Sequence, residues 1–217
     1  ESNIIFQKRN HFSFVGFFYI TSGTFSYWEG WVYLGILMIP MIFISIYFFK
    51  HDPEVIERRM RLKEKELTQE RLIKVSWILA LAIFATPGLE HRYDLSSVPW
   101  IVVLIADMGV LLGYWGFAKV LLANRYASRI IEIMENQKVI ETGPYAVVRH
   151  PMYTSVLVLY AFTPLALGSW RTLIFIPLLV PILVVRILNE EKMLQKELPA
   201  YKAYMKKTKY RLIPGIW

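Results

Sequence analysis

Four apolar runs, Trp31 to Phe49, Ile73 to Leu89, Val98 to Leu122 and Met152 to Leu188, constrain this chain more than anything else in it. Crossing roughly 30 Å of hydrocarbon takes about 20 residues of helix, and each run approaches or exceeds that length. The last is long enough for two crossings and carries its own break near Gly168 to Arg171. Hydrophobic residues make up 55% of the chain and mean hydropathy is +0.38, too apolar for a soluble core and its polar cover. The expectation is an all-α, polytopic membrane protein with five to six transmembrane helices. The sixth is Phe12 to about Tyr27, diluted by Ser13, Thr21, Ser22, Thr24 and Ser26, which reads as a first span or an interfacial helix. The start shows no compact apolar core followed by a small-residue cleavage site, so no secretory signal is expected.

The placement of charge sets the topology. Of 25 Lys and Arg residues, eight lie in Lys50 to Lys74, five in Lys119 to Arg149 and eight from Arg186 to Arg211. With Lys8 and Arg9 added, only Arg92 and Arg171 remain for the alternate connections. The basic segments therefore share one side, cytoplasmic by the positive-inside rule, while Glu90 to Ser97 and Gly168 to Arg171 face the other. Trp28, Trp31, Trp100 and Trp170 fall near that other side, as an aromatic belt would. The net charge of +8 serves orientation and attraction to anionic membrane lipids, and no nucleic-acid module accompanies it. The absence of cysteine removes disulfides, zinc-thiolate sites and thiol nucleophiles, and no metal is expected.

Two regions follow from this pattern. Residues 1–123 carry the N-terminal transmembrane helices and a charged interfacial helix at about 51–72, where Asp52 can cap, Pro53 can open the first turn, and Val55, Ile56, Met60, Leu62 and Leu67 form an apolar thread. This helix reads as lying along the headgroups or as a gate over a site. Residues 124–217 hold a long polar loop, a helical hairpin and a C-terminal tail. The tail reads as an amphipathic helix through Met193, Leu194 and Leu198, interrupted at Pro199 and resumed at Tyr201 and Tyr204. It shares a side with the loop and can fold back beside it.

The polar chemistry is concentrated where the loop meets the hairpin. Gly143-Pro144-Tyr145 makes a turn, Arg149 and His150 follow, and Pro151 pushes the backbone of His150 toward an extended form so that its ring projects from the start of a span. Tyr145 and Tyr153 lie at the same depth. Arg186 and Glu190 are four residues apart, hence on one helix face. Arg186 lies about a turn inside the apolar run, where a charge demands a partner. The residues alone leave a ligand site and a structural Arg–Glu pair with Glu191 solvated both open. Asp107, inside the third run with Tyr114 seven residues on, reads as a polar contact between helices, protonated or paired by a tyrosine hydroxyl or an arginine.

The order Gly-x-Tyr, four residues, His-Pro-x-Tyr, a helical hairpin, Arg-x-x-x-Glu-Glu and a tyrosine-bearing tail resembles the isoprenylcysteine carboxyl methyltransferases and the related phospholipid methyltransferases. The resemblance is specific from about Asn124 to Trp217. It implies an integral membrane enzyme that uses S-adenosylmethionine without a Rossmann domain, in keeping with the absence of a Gly-x-Gly-x-x-Gly motif. By position, it implies that Gln137, Lys138, Val139 and Ile140 meet the cofactor largely through backbone groups, that Tyr145, His150, Pro151, Met152 and Tyr153 continue the pocket, and that Glu190 binds the cofactor's amino acid or ribose portion. Arg186 matches the arginine that faces the methyl acceptor, so Arg186 and Glu190 are the catalytic candidates. Many relatives carry a glutamine near Met134, where this chain has none. The acceptor implied is a lipophilic or lipidated molecule, foremost a carboxylate, with a phospholipid amine or a thiol as alternatives. The ending Tyr210 to Trp217 also resembles the tail of NADPH-dependent sterol reductases, and a non-catalytic lipid-binding scaffold is a further alternative.

Overall fold

A computed structural model describes residues 16–60, 67–127, 130, 134 and 137–217, and among them the regular structure is helical, with no strand. In lipid every backbone N–H and C=O must be satisfied within the segment, which apolar runs of this length achieve only as helices. After a short helix α1, residues 16–22, the order is α2 (Trp28–His51), α3 (Pro53–Met60), α4 (Leu67–Arg92), α5 (Trp100–Ala123), a 3₁₀ turn (Gly143–Ala146), α6 (Pro151–Ala166), a second 3₁₀ turn (Arg171–Phe175), α7 (Ile176–Glu197) and α8 (Tyr201–Lys207). Among the described residues, four helices are long and apolar enough to cross a membrane: α2, α4, α5, and α7 extended by the turn before it. Helix α6 is apolar but only 16 residues long. The break expected near Gly168 is present, with Gly168 at φ +73°, a conformation that glycine adopts without a Cβ penalty.

The sequence expectation needs correction in the first segment. The segment expected to run helically from Phe12 to about Tyr27 ends at residue 22, and Phe12 and Ser13 lie outside the described residues. Its hydroxyls are the reason, since they bond locally instead of continuing a helix: Ser22 Oγ donates to Thr24 O at 2.9 Å and the hydroxyls of Thr24 and Ser26 meet at 2.9 Å. Of the charged helix expected over about 51–72, the described parts are helical, as α3 and as the first turns of α4. Pro53 opens α3 as anticipated, but Gln69 to Arg71 already belong to the spanning helix α4, and Leu62 lies outside the described residues. Val55 is 1% exposed and packs with Phe48, Leu121 and Ala127. Its position ties α3 to the ends of α2 and α5 and not only to headgroups.

The most extensive pairing is between α5 and α6, and glycines make it close. A Cβ on Gly113 would lie 2.8 Å from Leu159 N, one on Gly116 would lie 2.7 Å from Ser155 Oγ, and one on Gly109 would enter the ring of Phe162. Small residues that let backbones approach are the usual device where lipid removes the hydrophobic driving force. Polar groups inside the bundle are mostly paired: Tyr33 and Thr163 share a hydrogen bond of 2.8 Å, and the Tyr27 hydroxyl donates to Leu167 O at 2.6 Å. Asp107 is an exception. It is 4% exposed, and among the described residues neither carboxyl oxygen has the tyrosine or arginine partner expected for it.

The bundle has two chemically different ends. At one, Trp28, Trp31, Trp100 and Trp170 gather, and Trp170 Nε1 donates to Ser97 O at 3.2 Å while Ser169 Oγ donates to Glu90 at 2.8 Å. At the other lie α3, the start of α4, the loop before Gly143, the start of α6 and the basic tail. The glycine-mediated clasp of α5 and α6 fixes the start of α6, with His150 to Tyr153, beside the end of α5.

Candidate active site

Gly143 at φ +61° turns the chain into the 3₁₀ segment that carries Tyr145. His150 then precedes α6 with Pro151 as its first residue, so the ring is held at the mouth of the bundle. The tail closes over this point. The backbone N–H groups of Arg149 and His150 donate to Tyr210 O and Arg211 O, each at 2.9 Å, and Thr154 Oγ1 donates to Leu212 O at 2.9 Å. The tail therefore folds back beside the loop, as expected.

Arg149 and Glu191 lock this arrangement. Arg149 Nε donates to Glu191 Oε1 at 2.6 Å, and its NH1 donates to Thr208 O at 2.9 Å and Lys209 O at 2.6 Å. Arg211 Nε reaches the other Glu191 oxygen at 2.9 Å, and His150 Nε2 lies 3.3 Å from Oε1. Glu191 is 2% exposed. The reading that left it solvated is overturned, because the folded tail supplies the charges that make burial tolerable.

A cavity opens at this end, and all eleven residues singled out in the sequence line it: Gln137, Lys138, Val139, Ile140, Tyr145, His150, Pro151, Met152, Tyr153, Arg186 and Glu190. Its interior volume is about 120 Å³, and the empty space including the open mouth is about 890 Å³. Arg186 and Glu190, expected to pair along one helix face, are joined through Tyr153, whose hydroxyl accepts from Arg186 Nε at 2.9 Å and donates to Glu190 Oε2 at 2.8 Å. Glu190 Oε2 also lies 3.9 Å from His150 Nδ1. The loop is pinned above: Tyr204 donates to Tyr145 O at 2.7 Å, Asn124 Nδ2 to Tyr145 Oη at 2.8 Å, Lys207 to Glu141 at 2.9 Å, and Gln137 Oε1 accepts from the Met134 N–H at 2.9 Å.

This geometry accounts for the sequence order Gly-x-Tyr, His-Pro-x-Tyr and Arg-x-x-x-Glu-Glu as one constellation. Residues 102–196 match the isoprenylcysteine carboxyl methyltransferase (ICMT) family. The ICMT match takes in α5, the loop, α6 and nearly all of α7, so the residues that wall the cavity fall inside it except for those of the tail. With the four spanning helices, it supports a membrane methyltransferase of the isoprenylcysteine type. No curated protein matches the chain.

Several residues of the site escaped the sequence reading. Tyr201 and Tyr204 line the cavity although the tail was read only as an amphipathic helix, and Asn124 and Tyr126 enter it from the end of α5. Burial pushes the hydroxyl of Tyr145 up to about 12 and raises those of Tyr201 and Tyr204 further. All three are therefore neutral hydrogen-bond donors at working pH. Gln69, at the start of α4, accepts from Arg186 NH1 at 3.3 Å. Arg59 of α3 places NH1 3.2 Å from the sulfur of Met152. Only spatial proximity marks these residues, although the Tyr201/Tyr204 spacing of three was a visible sign of one helix face.

Proposed function

We propose that the cavity holds S-adenosylmethionine and that the protein methylates the carboxylate of a lipophilic acceptor, as in isoprenylcysteine O-methylation. The observation that carries this reading is the convergence of Gln137 to Ile140, Tyr145, His150 to Tyr153, Arg186 and Glu190 on one cavity at the basic end of a membrane bundle. The donor set fits the cofactor. Tyr201 Oη is buried at the cavity with no partner among the described residues, and Glu190 offers a carboxylate to an amino or ribose group. Met193, Leu194 and Leu198 supply an apolar wall.

When bound, the cofactor would supply a methyl group on a sulfonium, which a carboxylate oxygen would take as a new C–O bond while the S–CH₃ bond broke with its electron pair left on sulfur. Attack of an anion on a cation removes charge, so the reaction is favoured where the walls of the cavity, the folded tail among them, hold the pair away from bulk solvent. Arg186 orients the anionic acceptor, its Nε held by Tyr153 and its NH1 by Gln69. Tyr153 couples that arginine to Glu190, so acceptor and cofactor positions are linked through one hydroxyl.

The test compares Arg186→Ala and Glu190→Gln in detergent-solubilised protein. Arg186→Ala is expected to reduce turnover on a prenylated cysteine by at least about a hundredfold with little change in S-adenosylhomocysteine affinity. Glu190→Gln is expected to weaken that affinity first. Equal losses of thermal stability in both variants, with normal kinetics in the folded fraction, would return the pair to a structural role.

A further inference from the structure

A groove runs between α2 and α5 at their basic ends and shares no lining residue with the candidate active site. Phe43 and Ile46 of α2, both exposed on a spanning helix, wall it together with Phe48 of α2 and Ala118 and Leu122 of α5, and it holds about 560 Å³. Lys50 and His51 stand at its basic end. The stretch of α2 from Phe43 to Lys50 is about 10 Å long, roughly two thirds of the 15 Å or so that one leaflet adds to a hydrocarbon layer of about 30 Å. The groove therefore has the apolar walls and the reach of an acyl chain, with a basic group at the level where a headgroup begins.

The charge at that end is not spent within the chain. Lys50 is exposed, and among the described residues no carboxylate lies within ion-pair distance of it. The acids that follow it are engaged elsewhere: Asp52 and Glu54 lie 3.7 and 3.8 Å from Arg125, and Glu54 also pairs with Arg58. His51 Nδ1 donates to Tyr47 O at 2.8 Å and its ring stacks on that of Tyr47 with centroids 4.5 Å apart, so the rim is fixed as well as basic. We infer that this groove binds an anionic phospholipid, with one acyl chain between α2 and α5 and the phosphate at Lys50. The inference stands apart from the methyltransferase reading. An ammonium offers three donors and no acceptor, which suits phosphate oxygens, and a lysine at a membrane surface favours anionic over zwitterionic headgroups. A prenylated acceptor fits the groove less well, because its carboxylate belongs at Arg186. Phe48 lines the groove and Ala127 lines the catalytic cavity, and both belong to one buried cluster with Val55 and Leu121 that keeps the two spaces apart.

Native mass spectrometry of the full chain in detergent, with dioleoyl phosphatidylglycerol or dioleoyl phosphatidylcholine added, tests this, since the two lipids differ only in headgroup. Wild type is expected to retain the phosphatidylglycerol in preference. Lys50→Gln should lower that retention about fivefold or more, the effect of one lysine at an anionic surface, and leave phosphatidylcholine retention unchanged, while Lys50→Arg keeps wild-type values. Ala118→Phe, which fills the groove from its α5 wall, should lower retention of both lipids. Thermal melts supply a second reading, because a lipid that binds only the folded chain raises Tm, and phosphatidylglycerol should raise that of wild type more than that of Lys50→Gln. Wild-type retention of phosphatidylglycerol by Lys50→Gln or by Ala118→Phe would overturn the inference. So would displacement of the lipid by glycerol phosphate, which has no acyl chain and would mark a site for free phosphate, or by an N-acetylated, S-prenylated cysteine, which would make the groove part of the acceptor's path. A dimer that forms on delipidation and persists when phosphatidylglycerol is restored would overturn it in favour of an interface between copies.

Discussion

Neighbouring glutamates on α7 should respond to very different extents to the same change. Glu191 takes Arg149 Nε on one oxygen at 2.6 Å and Arg211 Nε on the other at 2.9 Å, with 3% of its side chain exposed and 4% of that of Arg149. Removing one member of a buried pair strands the other, at a cost of about 3–5 kcal/mol. Arg149 keeps its bonds to Thr208 O and Lys209 O, so Glu191→Gln is expected near the lower end, about 3 kcal/mol. For a chain of this size that is a fall in Tm of about 6–12 °C. Glu190 has 27% of its side chain exposed and meets a neutral hydroxyl at 2.8 Å, so Glu190→Gln should cost under about 1 kcal/mol. Thermal melts of both variants in one detergent, with limited proteolysis after Lys206, Lys207 and Lys209 to follow release of the tail, make the comparison. The reasoning is refuted if Glu191→Gln melts within about 2 °C of wild type, or if the two variants are destabilised alike.

Three further outcomes test other parts of the structure. Gly113→Ala places a Cβ 2.8 Å from Leu159 N, against backbone that cannot rotate away, and should destabilise the α5–α6 clasp by about 1–3 kcal/mol or more, read as a lower Tm and faster proteolysis of the loop before Gly143. Burial raises Tyr145 to about 12 from an ordinary value of 10.0; the folded state therefore holds its proton more tightly, and stability present below pH about 10 should be lost as pH rises toward 12, with tyrosinate absorbance appearing together with unfolding and not before it. Single cysteines introduced at Ser97 and Lys202, both exposed and at opposite ends of the bundle, should label from opposite sides of a sealed vesicle, the Lys202 side being cytoplasmic by the positive-inside rule.

The spans were legible because bilayer thickness imposes a length and lipid imposes apolarity, both of which are local properties of a sequence. The break at Gly168 and the charge asymmetry were visible for the same reason. The first segment was harder to judge, since Ser22, Thr24 and Ser26 satisfy nearby backbone and each other, and local hydroxyl bonding competes with helix at a strength that hydropathy does not register. In the long charged stretch after His51, the part from Leu67 onward continues directly into a span, a boundary that charge alone does not mark. For the candidate site, the eleven residues named in advance meet in one cavity because a motif holds together residues close in sequence, and two such motifs faced each other across the hairpin.

What escaped was the set of contacts made across long sequence separations. Arg149 and Glu191 are 42 residues apart, and Arg186 and Gln69 are 117 apart. Neither pair has a spacing that periodicity can detect, and each residue alone looks ordinary: an arginine at a basic interface, the second glutamate of a doublet, a glutamine in a charged stretch. Their roles follow from which charge is left without water once the tail closes. Glu191 receives the cations of the tail and becomes structural. Glu190, one residue along α7, faces the cavity through Tyr153 and remains open to a ligand. The division of labour in the Glu-Glu doublet is therefore set by helix phase, since a step of one residue turns a side chain by about 100°, enough to point one carboxylate at the tail and the other at the cavity.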